Sequence, residues 1–296
     1  MWEKFVAFFM SVIMTILSLF GLEHLIDNGG IRKMENVSYG THERQVLDLY
    51  LPENLSDVTG LVLCIHGGAW IGGDKSAYTE SAKDLCKNMN IATATINYRY
   101  LSPDVSMYEI IDDVDAAVAK IREIGKENGT DINKMLLTGH SAGAHLSMLY
   151  AYSRADTAAI TPAAVANFSG PTDLNDKNYF IDNDLGTDNV LMLVSYATGR
   201  MITLENFEER KDEIDRVAPL YYVNENTVPT IICHGMKDTI VPYSNAVSLD
   251  AKLTQYGVTH DFISYPNSGH GLESDREQAG YAEELMVKYL NEYVLK

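Results

Sequence analysis

Gly139-His140-Ser141-Ala142-Gly143 carries the spacing GxSxG between an apolar run that reads as a short strand and a stretch that reads as a helix. A serine in such a turn stands at a helix N-terminus, open to a substrate carbonyl, with the backbone N–H of Ala142 facing the oxygen on which charge develops. Glycines on both sides are required because the turn is strained and packs closely against strand and helix. A second glycine-rich segment, His66-Gly67-Gly68-Ala69-Trp70, follows another apolar run. Its small residues let the backbone approach a carbonyl, so the N–H groups of Gly68 and Ala69 are expected to complete an oxyanion hole with Ala142. The chemistry predicted is acyl transfer: Ser141 attacks, a histidine takes its proton, and water later cleaves the acyl-enzyme.

The chain has eight histidines, so the base must be selected. His270 lies in Asn267-Ser268-Gly269-His270-Gly271, after a predicted strand and before the last helix, where a positioned but mobile base is expected. His234 ends a strand, His260 opens one, and His140 and His145 neighbour Ser141 on a turn that should point them elsewhere. His66 reads as a structural hydrogen-bonding residue. For the orienting acid, Asp238 in His234-Gly235-Met236-Lys237-Asp238 competes with Asp173 in Ser169-Gly170-Pro171-Thr172-Asp173. Asp238 is preferred, because a loop just before the His-bearing strand gives the short acid-to-base link that fixes the imidazole tautomer.

Alternating strand and helix signals must position these residues. Strands are expected at Val46–Leu51, Leu61–Ile65, Ile91–Ile96, Met135–Thr138, Ala163–Phe168, Thr230–Cys233 and His260–Tyr265. Helices are expected at about 78–90, 105–128, 142–152, 244–256 and 277–295. The alternation predicts an α/β fold with a mainly parallel central sheet and helices on both faces. Between Pro171 and Val228 the rhythm breaks, which predicts a small cap insertion over the carboxyl edge of the sheet, at about 171–228. Trp70, Tyr221 and Tyr222 are the expected pocket aromatics.

Composition is ordinary for one large domain, with 46% hydrophobic and 22% charged residues in 296. Lys and Arg total 23 against 41 Asp and Glu; the net charge of -18 repels phosphate backbones and argues against a nucleic-acid partner. Cys64, Cys86 and Cys233 read as buried thiols. No metal site is expected: Asp182, Asp184 and Asp188 match a calcium loop only loosely, with Gly186 out of place. Residues 5–22 are apolar apart from Ser and Thr, so residues 1–30 are read as a hydrophobic helix. Membrane association through that helix is the expected localisation, with a packing helix of a cytoplasmic protein as the alternative. Nothing in the pattern gives the oligomeric state.

Taken in order, HGGAW, GHSAG, HGMKD and SGHG resemble the α/β-hydrolase superfamily of serine esterases grouped around hormone-sensitive lipase. Within it the chain is more similar to the bacterial feruloyl and acetyl xylan esterases and the kynurenine formamidases. The resemblance covers about residues 36–296 and implies the α/β-hydrolase fold, with Ser141, Asp238 and His270 as triad and Gly68, Ala69 and Ala142 as oxyanion donors. Where the lipases carry a third glycine this chain has Ala69, which leaves the hole intact because the backbone donates. Asn97-Tyr98-Arg99 also resembles a recurring segment of these families and is assigned packing. A serine carboxylesterase acting on small esters, such as acetylated sugars or aryl esters, without a cofactor, is the expected function. The alternatives are a formamidase, amidase or peptidase with the same triad, or a non-catalytic binding protein on the same scaffold.

Overall fold

Eight strands form one sheet: β1 (Ile31–Ser38), β2 (Val46–Pro52), β3 (Gly60–Ile65), β4 (Ala92–Ile96), β5 (Lys134–His140), β6 (Thr161–Phe168), β7 (Thr230–Gly235) and β8 (His260–Tyr265). The computed structural model describes residues 30–55, 58–181 and 183–296. In space the strands run β1-β2-β4-β3-β5-β6-β7-β8. β2 pairs antiparallel with β1 and β4, and β3 to β8 are mutually parallel.

Parallel strands need crossovers, and helices supply them on both faces: α1 (Thr79–Met89), α2 (Met107–Glu127), α3 (Ala142–Ser153), α4 (Thr187–Thr198), α5 (Lys211–Asp215), α6 (Ser244–Gln255) and α7 (Arg276–Tyr289). Because successive side chains of a strand point to opposite faces, a strand covered on both sides must be apolar throughout. β3 meets that demand, with every residue buried. Leu61, Leu63 and Ile65 join the core under α2, α3 and α6, whereas Val62 and Cys64 join the core under α7. α2 starts where a capping box forms, Ser106 accepting from the first turn and Glu109 reaching back to the Ser106 amide. All three cysteines are free and buried.

Two elements differ from expectation. β1 was not foreseen: its burial runs in threes, and Asn36 takes a left-handed φ of 51° at a register shift, so the strand lacks the period of two. The closing helix leaves α-geometry at Tyr289 and continues as a single π-turn over Leu290–Val294. The segment between β6 and β7 holds two 3-10 turns, Lys177–Phe180 and Pro219–Tyr222, together with α4 and α5. The expected membrane contact at residues 5–22 lies outside the described residues. Among the described residues no helix is long and apolar enough to cross a membrane.

On the inner face of α7, Glu283 is 1% exposed and neither carboxylate oxygen has a hydrogen-bond partner. Burial, with help from neighbouring Glu284, pushes its carboxyl up to about 8. The folded protein therefore holds a proton that the unfolded chain releases near pH 4.5, and stability is lost as pH rises through that window. The shift corresponds to roughly 3–5 kcal/mol at full development. Tm of the wild type should fall as pH rises from about 4.5 to 8 while Glu283→Gln stays flatter; parallel curves over that range would contradict this.

Candidate active site

β5 ends at His140, and the chain turns at Ser141 with φ 57° and ψ -124° before entering α3. A left-handed non-glycine residue costs about 1–2 kcal/mol, so the surroundings must enforce it. They do so through close backbone packing: a Cβ on Gly143 would lie 1.9 Å from the Ile65 carbonyl oxygen, and one on Gly139 would lie 2.5 Å from the same atom. The two motif glycines thus let the Ser141 turn press onto the end of β3. That contact brings it beside the loop that follows β3.

In that loop Gly68, Ala69 and Trp70 all have positive φ, at 120°, 50° and 60°. The amides of Gly68, Ala69 and Ala142 donate to no protein acceptor among the described residues, and the Ala142 amide belongs to the open N-terminus of α3. Ala69, Trp70, Ser141 and Ala142 line one side of a pocket of about 40 Å³. Leu174, Tyr179, Val190, Leu193 and Val194 from the β6–β7 segment, with Ile240 and Val241, close the other side. Trp70 is therefore a pocket residue. Tyr221 and Tyr222 are not among its lining residues: in the Pro219–Tyr222 turn it is Leu220 that is buried, Tyr221 contacts Lys211 and Asp173, and Tyr222 donates to the Arg216 carbonyl.

Asp238 and His270 meet across the ends of β7 and β8. A Cβ on Gly235 would lie 2.2 Å from the Gly269 carbonyl oxygen, so glycine is what lets the two loops touch. His270 Nδ1 is 2.8 Å from Asp238 Oδ2, and His234 Nε2 is 3.2 Å from the same oxygen. Asp238 Oδ1 accepts from the amides of Ile240 and Val241, each at 2.9 Å. Burial opposes the charge on Asp238, but donors from both histidines outweigh it and hold the carboxyl far below its usual range. An ionised acid here obliges His270 to carry its proton on Nδ1, leaving Nε2 as the proton acceptor. No hydrogen bond joins Ser141 to His270 among the described residues; such contacts often tighten only when substrate binds.

Asp173 serves elsewhere. It accepts from the Asn175 amide at 2.9 Å in its own turn, and Tyr221 approaches it at 3.4 Å. Asp184 accepts from the Thr239 hydroxyl, and its amide donates to the Thr239 carbonyl at 2.9 Å, tying the β6–β7 segment to the Asp238 loop. Asp182 lies outside the described residues.

A profile of the BD-FAE family matches residues 47–253, well over half of the chain and inclusive of Ser141 and Asp238. The chain belongs to the BD-FAE family. This BD-FAE chain is 23% identical over 268 residues to esterase LipC of Mycobacterium tuberculosis, spanning 86% of this chain and 64% of that protein. It is 26% identical over 250 residues to isoprenylcysteine alpha-carbonyl methylesterase ICME of Arabidopsis thaliana, spanning 79% of this chain and 56% of that protein. The chain thus covers less than two thirds of these relatives' own length. Among solved structures, a truncated carbohydrate esterase from gut microbiota superposes with a TM-score of 0.72 at 21% identity, covering 90% of this chain and 99% of that one. A bacterial heroin esterase gives 0.70 at 20% identity, covering 94% and 90%. These likenesses establish the α/β-hydrolase fold.

Two histidines of the BD-FAE chain do more than the sequence reading gave them. His140 Nε2 donates to the His270 carbonyl at 2.7 Å, with the rings 4.7 Å apart, so it braces the loop that carries the candidate base. Burial and the nearby His270 push it down to about 4, which keeps it a neutral donor. His145 donates from Nε2 to the Val217 carbonyl at 2.8 Å and meets Trp70 edge-on at 5.0 Å, linking α3 to the pocket wall. Position was the only signal for His140, since it directly precedes the serine at the carboxyl end of a central strand.

Proposed function

We propose that this protein is a serine carboxylesterase that cleaves small esters through an acyl-enzyme on Ser141. Asp238 and His270 serve as orienting acid and general base, and the amides of Gly68, Ala69 and Ala142 hold the oxyanion. The observation that carries the reading is the Ser141 turn itself: a strained serine at a helix N-terminus, lining an apolar pocket beside amides that have no protein acceptor. The Asp238–His270 contact at 2.8 Å supplies the matching base. Family membership and the esterases among the relatives agree with this chemistry.

Pocket size narrows the substrate. A pocket of about 40 Å³ beside Ser141 suits a short acyl group, acetyl to butyryl, better than a long one. Its walls are Leu, Val and Tyr from the β6–β7 segment with Ile240 and Val241 from the loop after β7, so the acyl group it takes is short and apolar. With p-nitrophenyl esters, kcat/KM should peak between acetyl and butyryl and fall at least tenfold at octanoyl, because each unaccommodated methylene forfeits about 0.8 kcal/mol or clashes. A formyl-amide and a peptide amide run beside them should be turned over far more slowly. An octanoyl optimum, or preference for the amide, would contradict the assignment.

A further inference from the structure

The loop from His66 to Gly73 has to present two amides in fixed directions, yet three consecutive residues in it are left-handed and it contains little hydrogen bonding of its own. Inside it, Ile71 N–H donates to the Gly68 carbonyl at 3.1 Å and His66 Nδ1 to the Gly67 carbonyl at 2.8 Å. The remaining restraint comes from outside. Arg44 Nη2 lies 3.2 Å from His66 Nε2 and donates to the Gly73 carbonyl at 3.2 Å, so one guanidinium nitrogen touches both ends of the loop. Arg44 Nε donates to the Tyr98 carbonyl at 2.9 Å, and the guanidinium carbon sits 3.7 Å over the Tyr100 ring. Tyr100 donates its hydroxyl to the same Gly73 carbonyl. Tyr98 stacks on His66 at 4.3 Å and donates to the His66 carbonyl at 2.9 Å.

We propose that Arg44 is a positioning residue for the oxyanion loop, acting through His66 and Gly73 to fix where the Gly68 and Ala69 amides point. The proposal rests on the serine-esterase reading above and adds to it a residue outside the four sequence motifs. Hydrogen-bond directions make the chain of contacts specific. His66 donates from Nδ1 to Gly67, so its Nε2 is a lone pair that needs a donor, and Arg44 provides one. Burial and the charge of Arg44 push His66 down to about 4, which keeps that lone pair available. Arg44 itself is in no ion pair among the described residues. Its partners are a ring nitrogen, two carbonyls and an aromatic face, so the residue orders backbone instead of balancing charge. Lysine cannot replace it, because an ammonium has no planar fork to serve His66, Tyr98 and Gly73 together.

Donors aimed at an oxyanion act in the transition state, so loosening them lowers kcat and leaves ground-state binding nearly unchanged. Arg44→Ala should lower kcat per titratable Ser141 by roughly 10- to 100-fold, less than outright deletion of a donor, with KM held within about threefold. Arg44 also lines an open cavity of about 500 Å³ together with His42, Asn97, Tyr100 and Ser102. Millimolar guanidinium chloride should enter the vacated space and recover part of the lost kcat, an effect that a general loss of folded protein would not show. Arg44→Lys should be impaired in the same way, and it carries the test if the alanine variant does not fold. An unchanged kcat per titrated site, or a loss confined to KM, overturns the proposal. A wild type that forms no adduct on Ser141 would instead sink the esterase reading on which the proposal rests.

Discussion

Ser141→Ala lowers kcat on p-nitrophenyl butyrate by roughly a millionfold, to a residue of activity owed to substrate positioning and the oxyanion donors alone. The size follows from covalent catalysis. Without the hydroxyl no acyl-enzyme forms, His270 has no proton to take, and the difficult step is no longer divided into two. In free energy the loss is about 8 kcal/mol of transition-state stabilisation. Alanine suits the test because its side chain demands no more room than serine, so the left-handed turn enforced by Gly139 and Gly143 is kept. Thermal denaturation of the variant should match the wild type within a few degrees. Retained turnover in a folded variant would remove Ser141 from the mechanism.

Asp238→Asn should lower kcat about ten-thousandfold while KM changes little. The hydrogen bonds dictate how the amide would sit. Ile240 and Val241 both donate to Oδ1, so the asparagine carbonyl must remain there and the NH2 must occupy the place of Oδ2. That NH2 faces His270 Nδ1 and His234 Nε2. It can donate to Nδ1 of His270 only if the proton moves to Nε2, which removes the lone pair the base requires. It also meets the His234 N–H head-on, since His234 already donates to the Val241 carbonyl at 2.9 Å. Asp173→Asn is the control: that carboxylate serves its own turn and should leave kcat within a few-fold. A loss below tenfold for Asp238→Asn, or an equal loss for Asp173→Asn, would contradict the assignment of the acid.

How far these residues could be read in advance depended on how local their determinants are. Ser141, Gly139 and Gly143 lie within five positions and form one turn, and the spacing alone carries the steric argument. Asp238 and His270 are 32 positions apart, but each follows a strand of a parallel sheet, and strand order brings their loops together. β3 and β5 were legible for the same reason, since burial on both faces demands an unbroken apolar run. Where partners are distant and no pattern marks them, the reading failed. His140 meets the His270 loop across 130 positions and had been expected to point away. Arg44 reaches His66 from a turn between β1 and β2, and β1 itself was hidden by its irregular period. The Asn97-Tyr98-Arg99 segment reads as packing, and Tyr98 does pack, against His66 at the start of the glycine-rich loop. Tyr221 and Tyr222 were expected in the pocket because aromatic pairs suit one. A 3-10 turn leaves them half-buried against the core, away from the pocket lining, and buries Leu220, a choice set by three-residue geometry that no sequence window displays.

The central claim is that Ser141 is an activated nucleophile. Incubating the wild-type protein with a fluorophosphonate and locating the adduct by peptide mass spectrometry tests it directly. One modified residue is expected, Ser141, with labelling strongly slowed in His270→Ala and absent in Ser141→Ala. No adduct, or an adduct on another serine that persists in Ser141→Ala, would contradict it.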